Sequence, residues 1–210
     1  SRRPAPTGVP SRARYQSRGI ELPSQSVPVP LVHGARDGLR RCDTRIVQET
    51  RIKSSSGHQA VSRHVLSGPK NETIRLISGS DYLLKDWMKE AKREGIRYGL
   101  RHIAFNPSET MTDQQLSDFA EDICRELGAD PERTTFVIHQ KDGKTHGHLL
   151  LPEWQNSHVL SSKFSWVRLE KLARLTEVRL GHALVPGRHD KAIVKALRES
   201  GEYEAATKVE

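Results

Sequence analysis

Residues 134–152, "TTFVIHQKDGKTHGHLLLP", narrow what this chain can become more than any other stretch. Two runs of apolar and polar residues flank a short Lys-Asp-Gly-Lys segment, the pattern of an antiparallel hairpin. With a four-residue loop at 141–144, Gln140 stands opposite Thr145, His139 opposite His146, and Val137 opposite His148. Side chains alternate faces along a strand, so His139, His146 and His148 then share one side of the sheet. Cross-strand neighbours are about 4.5–5.5 Å apart at Cβ. Three neutral imidazoles can therefore converge on one ion and leave further positions open, the pattern of a working metal site rather than a closed structural one. A His-x-His pair alone is a weak sign, because strand histidines are commonly hydrogen-bonded surface or core residues. A third histidine in cross-strand register makes the metal reading the stronger one.

The remaining pattern supplies the sheet and its cover. "RIVQETRIK" (45–53) alternates as a strand, with Ile46 or Val47 and Ile52 as apolar anchors. Residues 58–66 read as a short helix and 71–79 as a second strand. "SDYLLKDWMKEAKREG" puts Leu83, Leu84, Trp87, Met88 and Ala91 on one helical face, with Gly95 as a stop. "LRHIAFNP" (100–107) alternates and closes at proline. Residues 110–128 carry a capping box, Thr112 with Gln115, ahead of Leu116, Phe119, Ala120, Ile123 and Leu127 at helical spacing. Beyond the hairpin, a longer helix over 161–182 stops at Gly181, and a last helix over 188–201 runs into an acidic tail, 201–210. The fold expected is α+β: a central, mainly antiparallel sheet of about five strands covered by four or five helices.

Residues 1–44 differ in kind. "SRRPAPTGVPSRARYQSRG" holds five arginines and no acid, and three more prolines follow. Such a segment buries too little apolar surface to offset its ordering entropy, so it reads as a disordered basic arm, either a passive leader or a DNA-tracking element. The formal charge of the whole chain, +8, makes nucleic acid the first partner to consider and an anionic membrane surface the second. No apolar run approaches the roughly 18 residues that cross a bilayer, and the arginines at the start precede no apolar signal core. Cys42 and Cys124, far apart in sequence, suggest a reduced, cytoplasmic protein without a disulfide framework.

The spacing H-x6-H-x-H on a hairpin, behind a capped helix, resembles the histidine-triad motif of conjugative relaxases in the HUH endonuclease superfamily. "GHQAVSRHVLSGPKNETIRLI", "GLRHIAFNPSETMTDQQ" and "WVRLEKLARLTEVRLGHALVPGRH" resemble mobilisation nucleases of the MobA kind. The resemblance extends over about 45–198 and implies a relaxase domain at 45–200. Such enzymes nick one strand at an origin of transfer and remain attached to the 5′ phosphate. A divalent ion, Mn²⁺ or Mg²⁺, polarises the scissile phosphate, although zinc or nickel binds imidazoles more tightly. The resemblance also implies single-stranded DNA, accessory transfer proteins and a coupling ATPase as partners, and a bacterial cytoplasm with a plasmid or integrative element as the setting.

The chain departs from that family in two ways. Relaxases commonly have an Asp two residues after the first triad histidine and a proline before the second; here these are Lys141 and Thr145, with Asp142 one place late. An orienting partner for the imidazole must then come from elsewhere. Most relaxases also attack with a tyrosine after the first strand, and 54–71 contains none. His64, ahead of Asn71-Glu72, resembles the histidine nucleophile of a minority branch, with Glu72 holding or deprotonating the ring. Tyr82 is the runner-up and Tyr98 stands behind it; Tyr15 and Tyr203 are poorly placed. Lys53, Arg97, Arg101, Arg168, Lys171 and Arg174 are candidate DNA contacts, against the alternative of solvated charges. His58 is a further guess at a phosphate contact. His102 reads as a satisfied structural histidine, and Trp166 as packing rather than base stacking. Two other functions stay open: a relaxase-like DNA-binding module without catalysis, favoured by the missing tyrosine, and a structural metal protein with no DNA role.

Overall fold

The computed structural model describes residues 46–68, 71–187 and 189–210, all within one compact unit. The arm read at 1–44, with Tyr15 and Cys42, lies outside these residues. The elements in chain order are β1 (Val47–Lys53), α1 (Gln59–Ser67), β2 (Thr73–Ser78), α2 (Asp81–Arg93), β3 (Tyr98–Phe105) and α3 (Asp113–Leu127). They continue as β4 (Thr135–Lys141), β5 (Lys144–Pro152), β6 (Trp154–Gln155), β7 (His158–Val159), α4 (Ser165–Leu180), α5 (Asp190–Glu199) and α6 (Tyr203–Val209). β1 to β5 form one sheet in the order β1-β3-β5-β4-β2, every neighbour antiparallel. The α+β class and the five-stranded antiparallel sheet are those expected from the sequence.

Helices cover both faces of the sheet, and its register decides what each cover meets. On one face Val47, Ile103, Phe105, Phe136, Ile138, Leu149 and Leu151 pack against Leu116, Phe119 and Ile123 of α3 and Leu169 and Leu172 of α4. On the other, Leu100, Val137 and Leu150 are sealed by Leu84, Trp87 and Met88 of α2 and by Val65 of α1. The anchors of β1 therefore divide, Val47 to the first core and Ile52 to the second. Thr112 caps α3 through the full capping box, and left-handed Gly181 ends α4. Cys124 is a buried thiol on α3, pushed up to about 12 by burial first and then by Glu121 and Asp130.

Three local departures from the sequence reading have plain causes. Lys141 pairs with Lys144, so the hairpin turns on Asp142 and Gly143 alone, both with positive φ (51° and 71°), the geometry that suits two-residue hairpins. The register is nonetheless the one expected, His139 opposite His146 and Val137 opposite His148. The small hairpin β6–β7 is an addition, turning on Asn156 and Ser157, again at positive φ. The end read as an acidic tail contains α6, whose Ala205 and Ala206 are buried against Ile193 and Leu197 of α5.

Arg101, read as a DNA contact, is instead the centre of a buried ion cluster and is fully inaccessible. It meets Glu153 through two nitrogens (3.1 and 2.9 Å) and Glu49 at 3.1 Å, and donates to the carbonyls of Ser161 and Leu160. Arg51 also donates to Glu153 through two nitrogens, at 2.6 and 3.2 Å. The cluster ties β1, β3 and the segment before α4 together. Gly147, between two of the triad histidines, is set by packing: a Cβ there would stand 2.2 Å from the Phe105 ring.

Two expected outcomes follow in urea unfolding. Arg101→Met should cost about 3–5 kcal/mol, because it leaves Glu153 and Glu49 without their buried counter-charge. Gly147→Ala should cost about 1–3 kcal/mol by displacing Phe105; a neutral effect would mean that the ring has room to move.

Candidate active site

The three central strands of the sheet, β3, β5 and β4, leave part of one face uncovered by apolar side chains, and histidines fill it. β4 contributes His139, β5 contributes His146 and His148, and β3 contributes His102. His139 and His148 are buried, and His146 is half-buried. Ring centroids are 4.4 Å apart for His139 and His148, and 5.2 Å for each pair that includes His146. One ring nitrogen from each of the three lies within 4.8 Å of the others.

Hydrogen bonding leaves these nitrogens in the right state for a cation. Nε2 of His139 lies 2.6 Å from the carbonyl oxygen of Val65 and must donate to it, so Nδ1 keeps its lone pair. Nε2 of His148 is buried and has no hydrogen-bond partner among the described residues. For that atom to bind an ion, Nδ1 must carry the proton, and Nε2 of His102 stands 2.9 Å away to accept it. The orienting partners that the missing Asp would have supplied are thus a backbone carbonyl of α1 and a histidine of β3. His102 is a structural histidine, as read, but one that supports the site directly.

Burial holds all of these rings neutral. It is the largest influence pushing His148 down to about 2, followed by the charges that His102, His139, His146 and His64 would carry. His102 falls to about 4 through burial, then His64 and His139. His139 and His146 are also lowered, each by burial first, with Lys141 contributing at His146. A buried, partnerless nitrogen within a trio of neutral imidazoles fits a divalent cation held at an open site.

The structure sets His64 beside the trio. It is exposed on α1, its ring centroid 5.5 Å from that of His148 and 6.2 Å from that of His102. Glu72 is not placed as the partner of His64 that the sequence reading made it. Its carboxylate accepts from the backbone N–H of Asp142 at 2.8 Å and so ties the head of β2 to the hairpin turn. Tyr82 is 68% exposed at the start of α2, beyond the end of β2 remote from Ile74, which faces His139. Tyr98 is six residues along β3 from Ala104, the partner of His148, or roughly 20 Å away.

Most of the cations read as DNA contacts are occupied elsewhere. Arg168 and Lys171 of α4 both bind Glu126 of α3 (2.9 and 3.1 Å), and buried Arg174 pairs with Glu177 at 2.9 Å. These are ties between and along helices of the opposite face. Lys53 and Arg97 are exposed at the far end of β1 and β3, where Arg51 and Arg97 stack on Tyr98 (4.2 and 5.3 Å to the ring centroid). His58 is buried and pairs with Asp81 at 3.3 Å, which fastens α1 to α2 rather than reaching into the site. Trp166 is half exposed, and its ring lies against that of His189 at a 50° tilt, with centroids 4.0 Å apart.

Residues 81–181 match the family model "Relaxase: MobA/VirD2-like, nuclease domain". That stretch, which is similar to the relaxase nuclease family, contains all three triad histidines. α1 and His64 precede the match. A solved structure described as "Molecular Basis of Vancomycin Resistance Transfer in Staphylococcus aureus" aligns with 66% of this chain and 95% of its own, at 13% identity and a TM-score of 0.43. No curated protein matches the chain. Among the described residues no helix is long and apolar enough to cross a membrane.

The site predicts a graded response in calorimetric titration with Mn²⁺ or Co²⁺. His102→Ala should weaken binding roughly 10- to 100-fold, and His148→Ala by more. Chelation should leave the far-ultraviolet circular dichroism unchanged; unfolding on chelation would mark a structural metal instead.

Proposed function

We propose that this chain is a metal-dependent relaxase that nicks one strand of DNA at an origin of transfer and keeps the 5′ phosphate covalently, through His64. The observation that carries the reading is the position of the His64 ring, 5.5 Å from that of His148, in a sequence whose 54–71 segment has no tyrosine. His139, His146 and His148 would hold Mn²⁺ or Mg²⁺, whose contribution is Lewis-acid polarisation of the scissile phosphate.

In this reading the lone pair of a neutral His64 nitrogen attacks phosphorus. The bond from phosphorus to the 3′ oxygen breaks, the 3′ oxygen leaves and takes a proton from solvent, and the second ring nitrogen of His64 releases its own. The product is a phosphoramidate whose link energy is conserved, so an incoming 3′ hydroxyl can reverse the step and rejoin a strand. Glu72 acts as a positioning residue, by holding the turn that carries β4 and β5. The partners are single-stranded DNA at the origin and, by family analogy, accessory transfer proteins and a coupling ATPase, in a bacterial cytoplasm.

The test is to incubate the chain with Mn²⁺ and single-stranded DNA containing hairpin-flanked sites, then resolve the protein on a denaturing gel and map any DNA-linked peptide by mass spectrometry. An acid-labile adduct on His64, lost in His64→Ala by at least about 100-fold, is the expected result. An adduct on Tyr82 would keep the class and overturn the nucleophile. Tight DNA and metal binding with no adduct on the element's own origin would favour a binding module without catalysis.

A further inference from the structure

The face that carries the histidines continues past them. Along β4 the residue two beyond His139 is Lys141, and along β5 the residue two before His146 is Lys144, so both lysines stand on the histidine face. They are direct cross-strand partners. Like charges in that relation weaken a hairpin, and among the described residues neither lysine has an ion pair to offset the repulsion. Both are exposed.

Beside them a groove of about 490 Å³ is lined by both lysines and His146, and by Ile46, Gln48 and Asn106. Asp142 also lines it, with its backbone N–H held by Glu72. The groove therefore gathers two lysine cations and one carboxylate, Asp142, at the hairpin turn, together with an imidazole of the candidate metal site and two amide side chains. That set of groups suits a chain of phosphates with sugars and base edges attached.

We propose that this groove binds the backbone of single-stranded DNA next to the bond cut at the histidine trio, with Lys141 and Lys144 each neutralising one phosphate. The proposal rests on the relaxase reading above and adds the path that the strand takes. It also assigns a role to Lys141, which occupies the place where relaxases commonly carry an acid.

The experiment follows binding of a fluorescein-labelled 20-nucleotide oligothymidylate to the full chain by anisotropy, from 50 to about 300 mM salt, a range over which phosphate contacts are weakened. The variant Lys141→Ala/Lys144→Ala is compared with Lys191→Ala/Lys195→Ala, which removes the same charge from exposed positions on α5. The groove variant should lower the slope of log K against log salt by roughly 1.4, two phosphates at about 0.7 each, while the α5 variant leaves it near the wild-type value. Circular dichroism and Mn²⁺ titration should be unchanged in both. Equal slopes for the two variants, with the wild type binding well, would overturn the groove and leave the relaxase reading standing. A wild type that binds no single strand would overturn both. Displacement by polyglutamate at matched charge would show a site for acidic chains in general and overturn the commitment to DNA.

Discussion

A slip of β5 by one residue against β4 would turn His146 and His148 away from His139 and bring Leu149 and Leu151 out of their core, because strand side chains alternate with a period of two. The rest of the site depends on that register. Three contacts hold it. Asp142 and Gly143 adopt the positive φ values of a two-residue turn, the carboxylate of Glu72 captures the Asp142 N–H, and Phe105 lies against β5 where Gly147 has no side chain. The glycine between His146 and His148 is thus a packing requirement of one face that permits the chemistry of the other.

The two faces manage polarity differently. One buries its charges as a closed set, Arg101 with Glu153 and Glu49, and Arg51 beside them. Such a cluster contributes little net stability over an apolar replacement, yet cannot lose one member without a large penalty. It fixes β1 against β3 and against the approach to α4. The other face is divided. α2 seals the apolar end over Leu100, Val137 and Leu150, and the histidine end lies under α1, which covers it partly with Val65 and partly with His64. Burial without charge compensation keeps the imidazoles neutral there, and one nitrogen of His148 has no hydrogen-bond partner among the described residues.

Periodicity made the sheet, the main helices and the triad legible, because a period of two or 3.6 reports which residues share a face. It also specifies the hairpin register, which is why spacing alone brings His139, His146 and His148 to one face. What it could not report is the partner of a charge. Arg101 and Glu153 are 52 residues apart and Arg168 and Glu126 are 42 apart, so a cation on an alternating strand or a helical stripe looks the same whether it is solvated, bound to DNA or buried in an ion pair. The same limit hid the second partners of the histidines: a carbonyl such as that of Val65 has no sequence signature. The closeness of His64 to the trio was suggested by resemblance to a known family, whereas the β6–β7 turn and α6 are too short to show a period.

The bond from His139 to the Val65 carbonyl makes α1 and the His139 ring parts of one mechanical unit. Val65 is the residue after His64, so any displacement of that helix removes the acceptor from His139 as it moves the His64 ring. Linkage then works in both directions: whatever fixes the His139 ring also fixes the helix, and whatever loosens the helix loosens the ring. The His64 and His139 rings are thereby registered to each other through a single peptide unit.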